Sequence, residues 1–339
     1  MTLMTYREAI RKTLHEEMER DPNLIILGED VVGGHGTAGG TEAIGGIWGM
    51  TTGLYAKFGP NRVIDTPISE ACIVGAAAGA ALAGKRAIAD LMFADFVGVC
   101  LDQIYNQIAK FRYMFGGQSK CPVTVRIAYG AGRNAAAQHS QAVYAMLTAI
   151  PGLKVVMPAT PADAKGLLTT AIRGDDPVMF FEHKTMFAET GDVPDGEYLV
   201  PFGTARKVRE GDDVTVVTCG QLVKFAADAA DRLAKDGIAC DVIDLRTTSP
   251  MDEEAILDSV EMTGRLVIAD ESPPRCSLAS DIAGLVANQA FASLRAPVAM
   301  ATAPHSPVPF ARELELAYLP SSASIEAAVR KILAHQRRS

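Results

Sequence analysis

The stretch RVIDTPISEACIVGAAAGAALAGKRAIADLM, residues 62–92, decides how the fold is read. An apolar pair, Val63–Ile64, leads through a proline-containing turn to a helix read over Ser69–Ala83. Gly84 then breaks the helix before a second apolar run, Ala87–Met92. Neither run alternates with polar residues. Short apolar runs without alternation, joined by a helix, indicate parallel strands covered on both faces.

The same rhythm extends in both directions. Toward the N-terminus, Thr5 and Glu8 form a T-x-x-E capping box, and Ile10, Leu14 and Met18 recur on one helical face. Asp21–Pro22 ends that helix, and Leu24–Leu27 reads as a strand running into Gly28–Glu29–Asp30. The Gly-rich stretch Gly33–Gly53 reads as a loop, with a short helix beginning within Thr52–Phe58. Long loops inside compact domains are often functional. Toward the C-terminus, strands are expected at Val123–Ala128, Leu153–Met157 and Val178–Glu182. Helices are expected at Val97–Tyr113, Ser140–Ala149 and Pro161–Arg173.

At Lys184–Pro201 the composition turns to Gly, Pro, Asp and Glu, as in an interdomain linker. A second alternation follows, with strands at Val214–Thr218, Cys240–Asp244, Leu266–Ala269 and Val298–Thr302. Its helices are expected at Val223–Asp236, Asp252–Met262, Ser277–Leu294 and Ser324–His335. The expected fold class is α/β, with two parallel-sheet α/β domains. The boundaries are set at residues 1–185 and 206–339, with 186–205 as linker.

Composition narrows the function. A net charge of −8 and the lack of a basic run beyond Arg337–Arg338 argue against a nucleic-acid surface. The longest small-apolar run, Ala71–Gly84, is shorter than the roughly 20 residues that a bilayer span needs. The N-terminal MTLMTYREA does not read as a signal peptide. None of the six cysteines forms a C-x-x-C pair, so buried reduced thiols and a cytoplasmic or similarly reducing compartment are expected. P-loop, nucleophile-elbow, H-E-x-x-H and dinucleotide-fingerprint motifs are missing.

Open parallel sheets bind ligands beyond the carboxyl ends of their strands. Glu29, Asp30, Glu70, Asp95, Phe96 and His139 all follow expected strands. Glu70 begins a very apolar helix, and its position admits two readings. It is either a first-turn carboxylate favoured by the helix dipole, or a shielded carboxylate with a tuned pKa. His139 is either a solvated or structural histidine, or an acid–base group at a helix start whose dipole lowers its pKa. Gly75 and Gly79 serve either internal packing or a helix–helix subunit contact.

Six motifs carry a resemblance to a known family. D-T-P-I-S-E (65–70), A-A-Q-H-S-Q (136–141), P-G-L-K-V-V-M-P (151–158) and D-A-K-G-L-L (163–168) resemble the β subunits of 2-oxo acid dehydrogenase decarboxylase components. G-E-D-V (28–31) and D-L-R-T-T-S-P-M-D (244–252) do so too, so the resemblance spans nearly the whole chain. It implies a transketolase-like pyrimidine-binding domain followed by a domain of the transketolase C-terminal type. It also implies an α2β2 heterotetramer with thiamin diphosphate shared between chains. The α chain of that family holds the diphosphate through magnesium with a G-D-G motif, which this sequence lacks.

Residue by residue, Glu70 resembles the glutamate that hydrogen-bonds pyrimidine N1′, and Phe96 the aromatic that stacks on the pyrimidine. Met92 matches a residue beside that ring, and Glu29 a second acid in proton exchange. His139 matches a histidine near the substrate and the incoming lipoyl group. A potassium site is implied around Val123, Ala171, Ile172, Gly174 and Asp176, with Gly174 standing where an acidic residue is common. A lipoyl-bearing acyltransferase is the implied further partner.

K-F-R-Y-M-F-G-G (110–117), F-E-H-K (181–184), P-R-C-S-L-A-S-D-I (274–282) and T-A-P-H-S-P-V-P-F (302–310) look like acetoin dehydrogenase β chains. The implied reaction cleaves acetoin to acetaldehyde, leaves a hydroxyethyl group on the cofactor and transfers acetyl to lipoamide. Pyruvate and branched-chain 2-oxo acids are the alternative substrates.

Overall fold

The computed structural model describes residues 1–33 and 45–335. The Gly-rich loop expected from residue 33 therefore lies largely outside the described residues, as does the terminal arginine pair. By internal contacts the chain forms two units. One is Met1–Tyr129 with Leu147–Pro201, and the other is Gly130–Met146 with Phe202–Ser339.

The first unit opens with strand β1 (Thr2–Thr5) and helix α1 (Tyr6–Arg20). Thr5 caps α1 in the expected capping box, with its hydroxyl accepting from Glu8 N at 3.1 Å and its own N donating to Glu8 Oε2 at 2.7 Å. Next come β2 (Leu24–Gly28), α2 (Leu54–Phe58), β3 (Val63–Asp65), α3 (Glu70–Leu82) and β4 (Arg86–Leu91). A 3-10 turn (Ala94–Gly98), a π-helix (Gln103–Ile108) and a short helix α4 (Phe111–Met114) lead to β5 (Val123–Tyr129). The chain continues through α5 (Tyr144–Thr148), β6 (Lys154–Val156), α6 (Pro161–Arg173), β7 (Val178–His183) and β8 (Thr190–Val193).

The sheet of this unit runs β6-β7-β5-β4-β2-β3, and every pair in it is parallel. β2, β5 and β7 are buried along their whole length. That burial explains why these runs lack alternation. Gly28 is required at the end of β2, because a Cβ there would lie 2.7 Å from the Asp90 carbonyl and 2.8 Å from its Cβ.

The second unit contains β9 (Arg206–Arg209), β10 (Val214–Thr218), α7 (Leu222–Ala234), β11 (Cys240–Asp244), β12 (Thr247–Ser249) and α8 (Glu253–Thr263). β13 (Leu266–Asp270), α9 (Leu278–Gln289), β14 (Ala299–Thr302), α10 (Arg312–Tyr318) and α11 (Ser322–Leu333) complete it. Its five-stranded sheet has the order β14-β13-β10-β11-β9, parallel except for β9 against β11. Leu222, Ala226 and Leu233 of α7 and Ile325, Val329 and Ile332 of α11 close over Val216, Val242 and Val267. Apolar residues recurring three, four and seven positions apart mark one face of each helix.

Three expectations need correction. The helix expected over Val97–Tyr113 is broken into the 3-10 turn, the π-helix and α4. Cys100, Ile104 and Ile108 are all buried, and their four-residue spacing satisfies an α-helix while concealing the wider π turn. The helix expected over Ser140–Ala149 contains only Tyr144–Thr148. Upstream, Asn134 and Ala136 adopt left-handed conformations, and the Ala131 and Asn134 amides donate to the Glu271 and Glu315 carboxylates at 2.8 and 2.9 Å. Those amides are therefore held outside any helical turn. Within the expected linker, Thr190–Val193 forms β8 and pairs antiparallel with β1.

All six cysteines are free, but Cys72 and Cys276 are exposed rather than buried. No helix among the described residues is long and apolar enough to cross a membrane.

Candidate active site

Parallel register brings the ends of three adjacent strands together. Gly28 of β2 stands beside Asp65 of β3 on one side and Asp90 of β4 on the other. Everything that leaves these strands at their carboxyl ends leaves from one edge of the sheet. Glu29 follows Gly28 directly, Met92 follows β4, and Glu70 opens α3 five residues beyond Asp65. The Val32 amide donates to Asp65 Oδ1 at 2.8 Å, which ties the segment after Glu29 to the segment before Glu70.

Glu70 is 9% exposed, and no hydrogen bond to its carboxylate is made by the described residues. Its N-cap, Ser69, makes no side-chain cap. A carboxylate so placed keeps the favourable helix dipole but has no internal donor. Two neighbours register its charge. Burial, then the charges of Asp30 and Glu70, raise the pKa of Glu29 above the ordinary glutamate range. Burial, followed by the Glu70 charge, pushes the Cys100 thiol up to about 12. Cys100 Sγ in turn donates to the carbonyl of Phe96 at 3.7 Å, so the turn carrying Phe96 adjoins Glu70.

Phe96 and Met92 are half-buried. Phe96 meets Phe93 edge-on at 5.6 Å between centroids, and Phe93 meets Trp48 at 5.8 Å. Lys184, fully buried, holds its ammonium 5.3 Å from the Phe93 ring centre. Phe96, Phe93 and Trp48 thus form one aromatic cluster beside this edge.

Behind that edge lies a row of buried charge that the sequence reading missed. Arg126 of β5 donates to both oxygens of Glu182 on β7 at 2.7 and 2.8 Å, and to Asp90 Oδ2 on β4 at 2.7 Å. Burial opposes the charge on Arg126, but Glu182 and Asp90 outweigh it and keep the guanidinium protonated. Burial raises the pKa of both Glu182 and Asp90, with Arg126 acting the other way. The available signal was a charged residue amid the apolar run of each of three strands, Arg126 in VTVRIAY, Glu182 in VMFFEH and Asp90 in RAIADL.

His139 belongs to the segment Gly130–Met146 of the second unit. It sits in a turn five residues before α5, so no helix start lies at its ring and the dipole argument does not apply. A Cβ added at Gly75 would lie 3.5 Å from the Gln103 side chain, whereas one added at Gly79 would meet open space among the described residues.

The residues expected around potassium do not fit an alkali cation. Arg86 Nη1 already donates to the carbonyls of Ile172 and Gly174 at 3.2 and 2.5 Å, and Nη2 donates to Asp175 Oδ1 at 2.7 Å. The Asp176 carboxylate pairs with Arg112 and, at 3.0 Å, with Lys154. The Ala171 carbonyl accepts from Gly174 N at 3.3 Å, and Val123 is a buried strand residue. A guanidinium thus holds the cationic position, and no role for potassium is derived. Among the described residues no group of three or more His, Cys, Asp or Glu could hold a metal ion.

Comparison with known proteins agrees with this architecture. The family described as the transketolase pyrimidine binding domain matches residues 2–189, and the transketolase C-terminal domain matches residues 203–325. The β subunit of acetoin:2,6-dichlorophenolindophenol oxidoreductase from Cupriavidus necator is 55% identical over 330 residues, covering 97% of each chain. Its Bacillus subtilis counterpart is 50% identical, covering 98% of this chain and 97% of the other. The β subunit of 2-oxoisovalerate dehydrogenase from Bacillus subtilis is 43% identical, covering 98% of this chain and 99% of the other. A solved structure titled as a split gene transketolase, inactive β4 tetramer, superposes with a TM-score of 0.78 at 25% identity, covering 98% of this chain and 99% of that one. The chain therefore belongs to the family of β subunits of thiamin-diphosphate-dependent 2-oxo acid and acetoin dehydrogenases, built from a transketolase-type pyrimidine-binding domain and a transketolase-type C-terminal domain.

Proposed function

We propose that this chain is the β subunit of an acetoin dehydrogenase. It would act with an α subunit in an α2β2 assembly and pass an acetyl group to the lipoyl group of an acyltransferase. The observation that carries the reading is the buried Glu70 carboxylate, which accepts no hydrogen bond from the described residues and stands beside the half-buried Phe96 turn. Such a carboxylate fits a protonated ring nitrogen, here N1′ of the aminopyrimidine. When bound, thiamin diphosphate supplies the nucleophilic carbon that cleaves the bond between the two functional carbons of acetoin.

The protein's own tasks follow from the site. Glu70 accepts and returns the N1′ proton. Phe96 and Met92 offer an apolar surface against the pyrimidine face. Glu29, with its raised pKa, holds a proton near neutral pH more readily than an ordinary glutamate and acts as a second proton carrier. His139 is assigned to the substrate oxygen. The diphosphate and its magnesium are assigned to the α subunit, because this sequence offers no G-D-G motif. The acetoin assignment draws on the acetoin-type motifs and on the higher identity to the acetoin oxidoreductase subunits than to the 2-oxoisovalerate one.

Steady-state turnover of the purified αβ complex on acetoin, pyruvate and branched-chain 2-oxo acids tests the reading. Turnover of acetoin well above the others is expected. Strong pyruvate turnover without acetoin cleavage would reject it.

A further inference from the structure

Helix α10 of the second unit is inverted. Its sequence, RELELAY, buries Glu315 and Tyr318, while Leu314 and Leu316 are 60% and 59% exposed. Phe310, just before the helix, is 70% exposed. A surface helix ordinarily turns its apolar residues inward and its charges outward. The buried glutamate has a local cause, since Glu315 Oε2 accepts from the Asn134 amide at 2.9 Å. That bond does not account for three large apolar side chains left together in water, which mark a surface meant to be covered.

Arginines flank these side chains. Arg312 opens α10 between Phe310 and Leu314. Arg133 adjoins Asn134, whose side chain donates to the Phe310 carbonyl at 3.4 Å. Arg275 lies two residues beyond Pro273, which lines one cavity with Tyr318 of α10. All three arginines are exposed, and none forms an ion pair among the described residues. By contrast, exposed Arg209 holds Asp231, and exposed Arg330 holds Asp236 and Glu326. Unpaired arginines gathered on one face are notable in a chain of net charge −8. Glu313 is the one exposed carboxylate of α10.

We infer that this face of the second unit docks an acidic amphipathic segment of a partner protein. The segment's apolar side chains cover Phe310, Leu314 and Leu316, and its carboxylates pair with Arg133, Arg275 and Arg312. Aromatic and arginine side chains side by side are the usual composition of an interface centre. Charge selects the occupant. A second copy docked through a twofold would set arginine against arginine. A nucleic-acid strand would pair with the arginines but leave Leu314 and Leu316 without apolar partners. Nothing in this inference depends on the acetoin reading.

Fluorescence anisotropy of the full chain with a labelled peptide of repeated Glu-Glu-Leu-Leu units provides the test. Saturable binding that weakens several-fold as salt is raised is expected. The double variant Arg133→Glu/Arg312→Glu should weaken the peptide at least tenfold. So should Leu314→Ser/Leu316→Ser, which leaves every charge in place. All four positions are exposed, so both variants should melt as the wild type does. Lys235→Glu, at the end of α7, reverses one exposed charge on another element and should leave the affinity unchanged. Absence of saturable binding to the wild type, unaltered affinity in the double variants, or an equal loss in Lys235→Glu would overturn the inference. Oligothymidylate binding as tight as the peptide's would give the face to nucleic acid instead. Dimerisation of the wild type that Leu314→Ser/Leu316→Ser abolishes would give it to a second copy, and either result would overturn the assignment.

Discussion

Glu70 and Glu29 share one sheet edge but face different demands. Glu70 is held by the start of α3, while Glu29 is penalised by burial and by two neighbouring carboxylates. Replacing Glu70 with glutamine removes the charge and keeps the volume. Turnover of the complex should fall by roughly 10²–10⁴, the usual contribution of positioned proton transfer. That loss equals about 3–5 kcal/mol of transition-state stabilisation. Sedimentation of the complex should be unchanged, and near-normal turnover would end the assignment. For Glu29 the sign runs the other way from a paired carboxylate. Its folded pKa lies above its unfolded one, so deprotonation favours the unfolded chain as pH rises through that interval. Glu29→Gln should therefore melt higher than wild type at pH 7, with the gain disappearing at pH values below the ordinary glutamate range. A melting temperature at pH 7 equal to or below that of wild type would contradict the placement.

Among the elements, the parallel strands with long apolar runs were legible to within a residue or two, whereas β9 (RKVR), an antiparallel edge strand of alternating exposure, and the three-residue β12 went unread. The capping box placed α1, and Thr160 followed by Pro161 marks the start of α6. What escaped the sequence has local causes. A π turn and an α turn bury the same i, i+4 residues, and the left-handed Asn134 and Ala136 carry no glycine to announce them. The β1–β8 pair joins residues 2–5 to residues 190–193, a separation no local pattern encodes. Glu29 and Glu70 were named from motifs and Met92 and Phe96 from the family resemblance, whereas Arg126 went unremarked because its partners sit on other strands. Arg126→Met tests that row. It would strip Glu182 and Asp90 of the cation that offsets their burial, a change that typically costs about 3–5 kcal/mol. The deficit, measured by denaturant unfolding, should shrink as pH falls, since protonating Glu182 removes the stranded charge. A loss under 1 kcal/mol would show that the row contributes little.

On the scale of the whole molecule, chain connectivity sets the terms. β5 ends in the first unit at Tyr129, the next seventeen residues (130–146) belong to the second, and the chain then returns until Pro201. Ala131, Asn134 and Tyr144 fasten that excursion to Glu271, Glu315 and Asp270. Separate expression of residues 1–201 and 202–339 should yield an aggregating first piece and a second piece that melts non-cooperatively. Mixing both pieces should restore a cooperative transition. A cooperative transition in residues 202–339 alone would show the excursion to be dispensable.

The excursion also bears on inheritance. A gene fusion or fission at the boundary near residue 201 exchanges everything downstream but leaves 130–146 behind with the upstream half. A transplanted second half must then accept a foreign strap in place of its own, with Glu271 and Glu315 meeting whatever backbone amides, and Asp270 whatever side chain, the host supplies. Recombination between relatives should thus succeed only when the strap and its three carboxylates descend from the same parent, so the two halves evolve as a bound pair rather than as interchangeable modules.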